Sequence, residues 1–327
     1  MAEPILSVRD LDMHFPIGGG FFSKSTDVVR AVDRVSLDVY RGESFGIVGE
    51  SGSGKTTLGR CIMRILDPTN GSVQLSGKSR AATELVGMSR SDLTAVWQDM
   101  RMVFQDPQSS LNPRLRVLDL IGQSLQATEG LSGAALAERV GDLLEQVGLQ
   151  RAFLMRYPNA FSGGQRQRLG IARALATKPE IVIADEAVSA LDVSIQAQTL
   201  NLMQDLQDQF DLTYIFIAHD LAVVEHFCDR VAVMYLGQIV EMADRDTLFS
   251  SPKHPYTRAL LEAVPIPVPG ARNKSKKRQS LTDGSQATQG CKFASRCAHA
   301  QDLCRSKRPP LAQIGEAQVA CHFAGTI

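Results

Sequence analysis

The sequence predicts an α/β fold built on a parallel sheet, and three observations carry that expectation. "EIVIAD" and "LTYIFIAHD" are continuous apolar runs of strand length. Each precedes a helical pattern, Val193 to about Gln209 after the first and "LAVVEHF" after the second. That βαβ alternation builds such a sheet. Third, "GESGSGKTT", Gly49 to Thr57, fits G-x-x-x-x-G-K-[ST], follows the strand "SFGIV" and opens the helix "KTTLGRCIMRIL". This is the context a glycine-rich phosphate loop requires.

The remaining elements follow in chain order. "ILSVRDLDMHF" alternates partly, as a strand does, and Gly18–Gly20 with the polar stretch to Asp27 reads as a loop. "RVSLDVYRGESFGIVG" predicts two strands around a turn at Arg41–Gly42. "GSVQLSG" is a short strand and "RMVF" a buried one. From about Asn112 to Gly164 the pattern is helical: Leu136, Val140, Leu143, Leu144 and Val147 fall on one helix face, with Ser132 as its N-cap. "RVAVMYLGQIVEMA" predicts two strands turning at Gly237. The expected domains are therefore 1–264, with a helical insertion at about 112–164, then a linker at 265–289 and a Cys-rich module at 290–327. The basic run Arg272–Arg278 in the linker reads as solvated chain, with an anionic lipid contact as the alternative.

Composition narrows the function classes. The chain is 44% hydrophobic and 21% charged, as an ordinary globular protein is. Lys+Arg and Asp+Glu both count 35, so net charge argues for neither nucleic acid nor an acidic partner. No apolar run reaches the length of a membrane span. "MAEPILSVRDLDMHF" carries acids and lacks a signal-peptide core, which leads to the expectation of a cytosolic protein. Cys61 and Cys228 are isolated, whereas Cys291, Cys297, Cys304 and Cys321 crowd the tail. In a cytosolic chain such a cluster points to metal rather than disulfides.

The phosphate loop needs its residue types. Gly49, Gly52 and Gly54 let backbone N–H groups wrap phosphates, Lys55 reaches the β and γ phosphates, and Thr56 offers a hydroxyl to Mg²⁺. Asp185 should emerge at the C-terminal end of its strand, where α/β ligands bind, and can hold the metal or its water. Glu186 would polarise the attacking water. His219 ends a strand in the same way, and its imidazole can donate to a γ-phosphate oxygen and sense its loss. Gln105, between a strand and a loop in "MVFQDPQSSLNPR", is a plain surface amide when taken alone. "FSGGQRQR", Phe161 to Arg168, is a second anion-reading turn: Ser162, Gly163, Gly164 and Gln165 stand at the start of a helix.

In order and spacing, "GESGSGKTT", "FQDP", "FSGGQRQR", "IVIADE", "SALD" and "AHD" resemble the ATP-binding subunit of an ABC transporter over about residues 5–265. The resemblance implies a P-loop NTPase fold of the ABC ATPase type with an antiparallel β subdomain and a helical insertion. It implies nucleotide contacts along Gly49, Glu50, Ser51, Gly52, Ser53, Gly54, Lys55, Thr56 and Thr57, and Mg²⁺ held by Thr56, Gln105 and Asp185. Glu186 would be the catalytic base, His219 the switch, Ser189–Asp192 the D-loop and Phe15 the adenine-stacking ring. It also implies that Ser162–Gln165 serve the nucleotide of a partner subunit, so the chain must dimerise, with a paralogue rather than itself. Phe161 stands where Leu is commoner, Ala187 where Pro usually follows the acids, and a long loop runs from Pro16 to Arg30.

That loop, "DVSIQAQTLNLM" and "SPKHPYTRALLEAVP" are similar to the oligopeptide and dipeptide importer ATPases. So is the tail, spaced C-x5-C-x6-C-x16-C, where the resemblance implies a [4Fe–4S] cluster on Cys291, Cys297, Cys304 and Cys321. Four thiolates also suit Zn²⁺, and an unmetallated tail is the third reading. The expected protein is a peripheral ATPase on the cytoplasmic membrane face, docked on two permease subunits, fed by an extracytoplasmic solute-binding protein and independent of nucleic acid. The rivals are an importer of another solute, an exporter ATPase and a soluble non-transport ABC ATPase. The tail is expected to be structural and remote from the motor.

Overall fold

The computed structural model describes residues 3–17, 27–78, 80–106, 110–263 and 289–326. Its main sheet explains the apolar strands. β3 (Ser44–Val48), β6 (Met100–Val103), β7 (Ile181–Asp185), β8 (Thr213–Ala218) and β9 (Arg230–Tyr235) lie parallel in the order β9-β3-β8-β7-β6. Ile181, Ile183, Ile215, Ile217 and Met234 face one core, and Val182, Ala184, Tyr214, Phe216 and Val233 face the other. A strand covered on both faces has no polar side to show, which is why period-two alternation is missing from its sequence.

The first core is closed by α1 (Lys55–Ile62) and by an antiparallel sheet ordered β2-β1-β4-β5. Its strands are β1 (Pro4–Ile17), β2 (Asp27–Tyr40), β4 (Asn70–Gly77) and β5 (Arg80–Glu84). β1 and β2 outrun their predicted spans. Phe15 pairs with Val29 and Pro16 with Val28, so both ends of the expected Pro16–Arg30 loop are hairpin ladder. β5 and α2 (Arg90–Asp99) were not read from sequence. The second core is covered by α3 (Val117–Glu129), α4 (Gly133–Gln146), α5 (Gly163–Leu175), α6 (Val193–Phe210) and α7 (Leu221–Phe227). All five residues of the predicted apolar face, four on α4 and Val147 at its C-cap, are buried. Ser132 takes the N-cap position but makes no side-chain capping bond.

The tail departs from expectation. β10 (Gln238–Asp244) returns antiparallel to β9 and leads to α8 (Arg245–Ser250) and α9 (Pro255–Glu262). The linker, with its basic run, lies almost wholly outside the described residues. Beyond it come α10 (Asp302–Ser306), β11 (Ala312–Ile314) and β12 (Ala317–Val319). β12 pairs with β10 and β11 with β12, so the tail extends the main sheet instead of standing outside it. Its few apolar side chains are too sparse for a core, and Phe293 is buried against Tyr235 and Tyr256, with ring centroids 5.4 and 5.5 Å away.

Candidate nucleotide site

The loop between β3 and α1 is shaped by close backbone approaches. A Cβ on Gly49 would lie 2.1 Å from the Met234 carbonyl oxygen, and one on Gly54 would lie 2.0 Å from that of Ala31. Gly54, at φ +100°, is the N-cap of α1 and has no side chain to satisfy the first N–H groups, which leaves them for an anion. Lys55 is buried, its Nζ donating to the carbonyls of Gly49 (2.8 Å) and Glu50 (3.0 Å). Burial pushes its pKa down, against the raising charges of Glu186, Asp185 and Glu50.

The acids sit where β7 ends. Thr56 Oγ1 donates to Asp185 Oδ1 at 2.9 Å, and burial pushes the Asp185 carboxyl up while this bond pulls it down. Glu186 turns into the left-handed region at φ +49°. Its carboxylate accepts from Gln105 Nε2 at 2.9 Å and lies 3.1 Å from His219 Nδ1. Residues from three strand ends, remote in sequence, thus meet on one carboxylate. Ser51, Gly52, Gly54, Lys55, Thr56, Thr57, Gln105, Glu186 and His219 line a single cavity.

Other predicted residues lie elsewhere. Phe15, somewhat exposed, is not among the lining, although its ladder partner Val29 is. Val29, Arg30, Ala31, Leu236 and Gly237 form a wall that sequence reading missed; the glycine at the predicted turn, Gly237, was its one signal, and it takes a positive φ there. Ser162 and Gly163 are exposed at the start of α5, and no residue of 161–168 lines the cavity. Ser162 and Gln165 close a reciprocal capping box, with bonds of 3.3 and 3.1 Å. Phe161 is buried edge-on to Phe153, and Ala187, where the resemblance led to Pro, is buried too. Asp185, Ser53 and Glu50 are not among the residues that line this cavity, though each acts on Lys55 or Thr56, which do.

The four tail cysteines line a second, narrow cavity with His254, Phe293, His299 and His322. Burial pushes the Cys291 thiol up to about 11 and raises those of Cys297 and Cys321. Among the described residues, no group of three or more His, Cys, Asp or Glu side chains is disposed to hold a metal ion. No described helix is long and apolar enough to cross a membrane.

The comparisons agree with this geometry. A family model described as ABC transporter matches residues 32–189, and one described as oligopeptide/dipeptide transporter, C-terminal region, matches 240–304. The chain is 50% identical over 324 residues, 98% of this chain and 90% of the relative, to the "Probable peptide ABC transporter ATP-binding protein y4tS" of Sinorhizobium fredii. It is 44% identical to the oligopeptide transport ATP-binding protein AppF of Bacillus subtilis, covering 98% of each chain. Among solved structures, the bacterial ABC transporter cassette MJ0796, a dimer, matches with a TM-score of 0.64 and 27% identity, covering 73% of this chain and 98% of that one. CbiO1 of Clostridium perfringens, part of the transporter complex cbiONQ, matches at 0.63 and 25%, covering 76% and 92%. With a phosphate loop, an acid-ended strand and an exposed, capped Ser162–Gln165 helix start on one scaffold, and with relatives this similar along nearly its whole length, the chain belongs to the ABC transporter ATPases, in their oligopeptide/dipeptide branch.

Proposed function

We propose that this ATPase drives peptide import through separate permease subunits. The observation that carries the chemistry is the convergence of Lys55, the Thr56–Asp185 pair and Glu186, flanked by Gln105 and His219, around one cavity. The loop N–H groups and Lys55 hold the ATP phosphates. The hydroxyl of Thr56 beside the carboxylate of Asp185 is a hard oxygen donor set that suits Mg²⁺, with Gln105 as a further ligand. When bound, Mg²⁺ neutralises charge developing on the phosphates. Glu186 orients the water for in-line attack, and His219 donates to the γ-phosphate and registers its departure. Phe15 stacks on adenine from the neighbouring strand.

The exposed Ser162–Gln165 turn serves the ATP of a partner ATPase, a paralogue in this reading, because it stands apart from its own chain's cavity. Gln105 and the helical insertion face two permeases, which hold the protein on the cytoplasmic membrane surface; a solute-binding protein delivers the peptide. Peptide as cargo rests on the matching C-terminal region and on the names of the relatives. The four cysteines hold a [4Fe–4S] cluster in this proposal, supported by their shared cavity and all-thiolate donor set; their side chains must draw together to do so.

Glu186→Gln tests the engine. Turnover should fall by about 10²–10⁴-fold with ATP still bound, and peptide uptake by membranes carrying the complex should stop. Near-normal turnover overturns the assignment. Protein purified without air should be brown and contain iron and sulfide; colourless protein with stoichiometric zinc overturns the cluster.

A further inference from the structure

The tail reaches the phosphate loop. Arg296, one residue before Cys297, donates from Nη1 and Nη2 to the two carboxylate oxygens of Glu50, at 3.1 and 3.2 Å. Its guanidinium is held over the rings of Tyr235 and Phe293, 5.7 and 5.5 Å from their centroids. Glu50 is gripped at its other handles as well. Its N–H donates to Tyr256 Oη at 3.0 Å, and its carbonyl accepts from Lys55 Nζ at 3.0 Å. On the far side of the loop, Lys292 Nζ donates to the Leu236 carbonyl at 2.6 Å, and the next residue, Gly237, donates its N–H to Ser53 O at 2.8 Å. Leu236 and Gly237 belong to the cavity wall.

We propose that Arg296 is a positioning residue for the phosphate loop: it holds and neutralises the Glu50 carboxylate, so that the Cys-rich tail sets ATP affinity. The proposal deepens the reading of the cavity as an ATP site and rests on it. Electrostatics give the reason. Glu50 is the first residue after Gly49, and its charge is felt at Lys55. Left unpaired, a carboxylate there opposes a triphosphate held on the same loop and competes for the charge of Lys55. Arg296 removes that opposition with a two-pronged bond whose geometry Lys cannot copy. Arg296 does not touch the reacting atoms; it acts through Glu50. Both side chains are about one-third exposed (32% each), so solvent screens the pair and the effect is modest. The same contact explains why Phe293 is buried in the motor's aromatic cluster: it fixes the segment from which Arg296 projects.

The test is a double-mutant cycle in the full chain, read as the dissociation constant of a fluorescent ATP analogue and as KM and kcat for ATP. Arg296→Ala should weaken binding and raise KM about 3- to 10-fold, with kcat changed by less than about twofold. Arg296→Lys should recover part of the loss. In a Glu50→Gln background the charge that Arg296 masks is gone, so Arg296→Ala should have little further effect. Glu316→Ala, which removes the tail's bond to Thr247 on α8, should leave affinity unchanged. An unchanged KM in Arg296→Ala overturns the proposal. So does an equal loss with or without the Glu50 charge, or an equal loss in Glu316→Ala, since either would mean that Arg296 only keeps the tail folded. If the wild-type chain binds no ATP analogue, the cavity assignment itself fails, which is a separate result.

Discussion

Glu186 shows how a single residue is bent to its place. A non-glycine residue at φ +49° is strained, and the strain persists because its N–H is tied to the Ile217 carbonyl at 2.9 Å and its carboxylate is held by Gln105. Gly54 meets a stricter demand, since the space for a side chain is filled by the Ala31 backbone. Gly54→Ala should cost about 1–3 kcal/mol of stability and abolish ATP binding, seen as a lower Tm that ATP no longer raises; a ligand-induced shift of normal size would contradict the loop geometry. Cysteine reactivity is set residue by residue too. Cys61 and Cys228 are fully buried, and burial pushes the Cys61 thiol up to about 12. Neither should be alkylated by iodoacetamide in the native protein at neutral pH, as mass spectrometry of the labelled chain would show.

At the scale of elements, packing follows the sequence pattern where one face is buried. Leu144 on α4 is fully covered, and Leu144→Ala should cost about 2–5 kcal/mol in denaturant unfolding. The turn into α9 is held from another element: the buried Glu241 of β10 accepts from the N–H groups of Lys253 and His254, at 2.6 and 2.9 Å. The apolar face of α4 was legible because its reasons lie within a few residues. β5, α2, β11 and β12 were not. β5 is a short edge strand in a stretch without alternation, α2 buries only Leu93 and Val96, and the two tail strands are short pieces: β12 exists by pairing with β10, more than 70 residues upstream, and β11 by pairing with β12.

Across the whole molecule, Asp33 ties the tail to the motor. Buried on β2, it accepts from Lys292 at 2.8 Å, Arg308 at 2.9 Å and Gln238 at 2.7 Å. Burial opposes its charge, but the bonds and charges of Lys292, Gln238 and Arg308 outweigh that and hold its carboxyl well below the usual range. Deleting residues 289–327 would leave Asp33 with the Gln238 amide and the more distant Arg34 guanidinium, 3.9 Å away, and make β10 an open edge. We expect a loss of about 3–5 kcal/mol and aggregation, measured by unfolding and light scattering, where a remote tail would leave both unchanged. The dimer reading has its own test at this scale. Lys55→Ala and Ser162→Arg should each be inactive as the sole ATPase, and if the chain forms homodimers, mixing them should restore one site of two. Demonstrated mixed dimers without activity would argue against sharing in trans.

By itself the sequence determined the α/β class, the phosphate loop, the acid-ended strand and the helix start at Ser162–Gln165. Each depends on residues adjacent in the chain: a glycine pattern, an apolar run, a charge at its end. Only the tertiary structure decided that Gln105 and His219 meet on Glu186, that Leu236 and Gly237 wall the cavity, and that the Cys-rich tail packs onto the motor. Those outcomes are set by pairing and packing between segments far apart along the chain. A tail with too few apolar side chains for a core of its own is stable only against a surface the motor supplies, and that surface, with Glu50 at its edge, exists only once the sheet has formed.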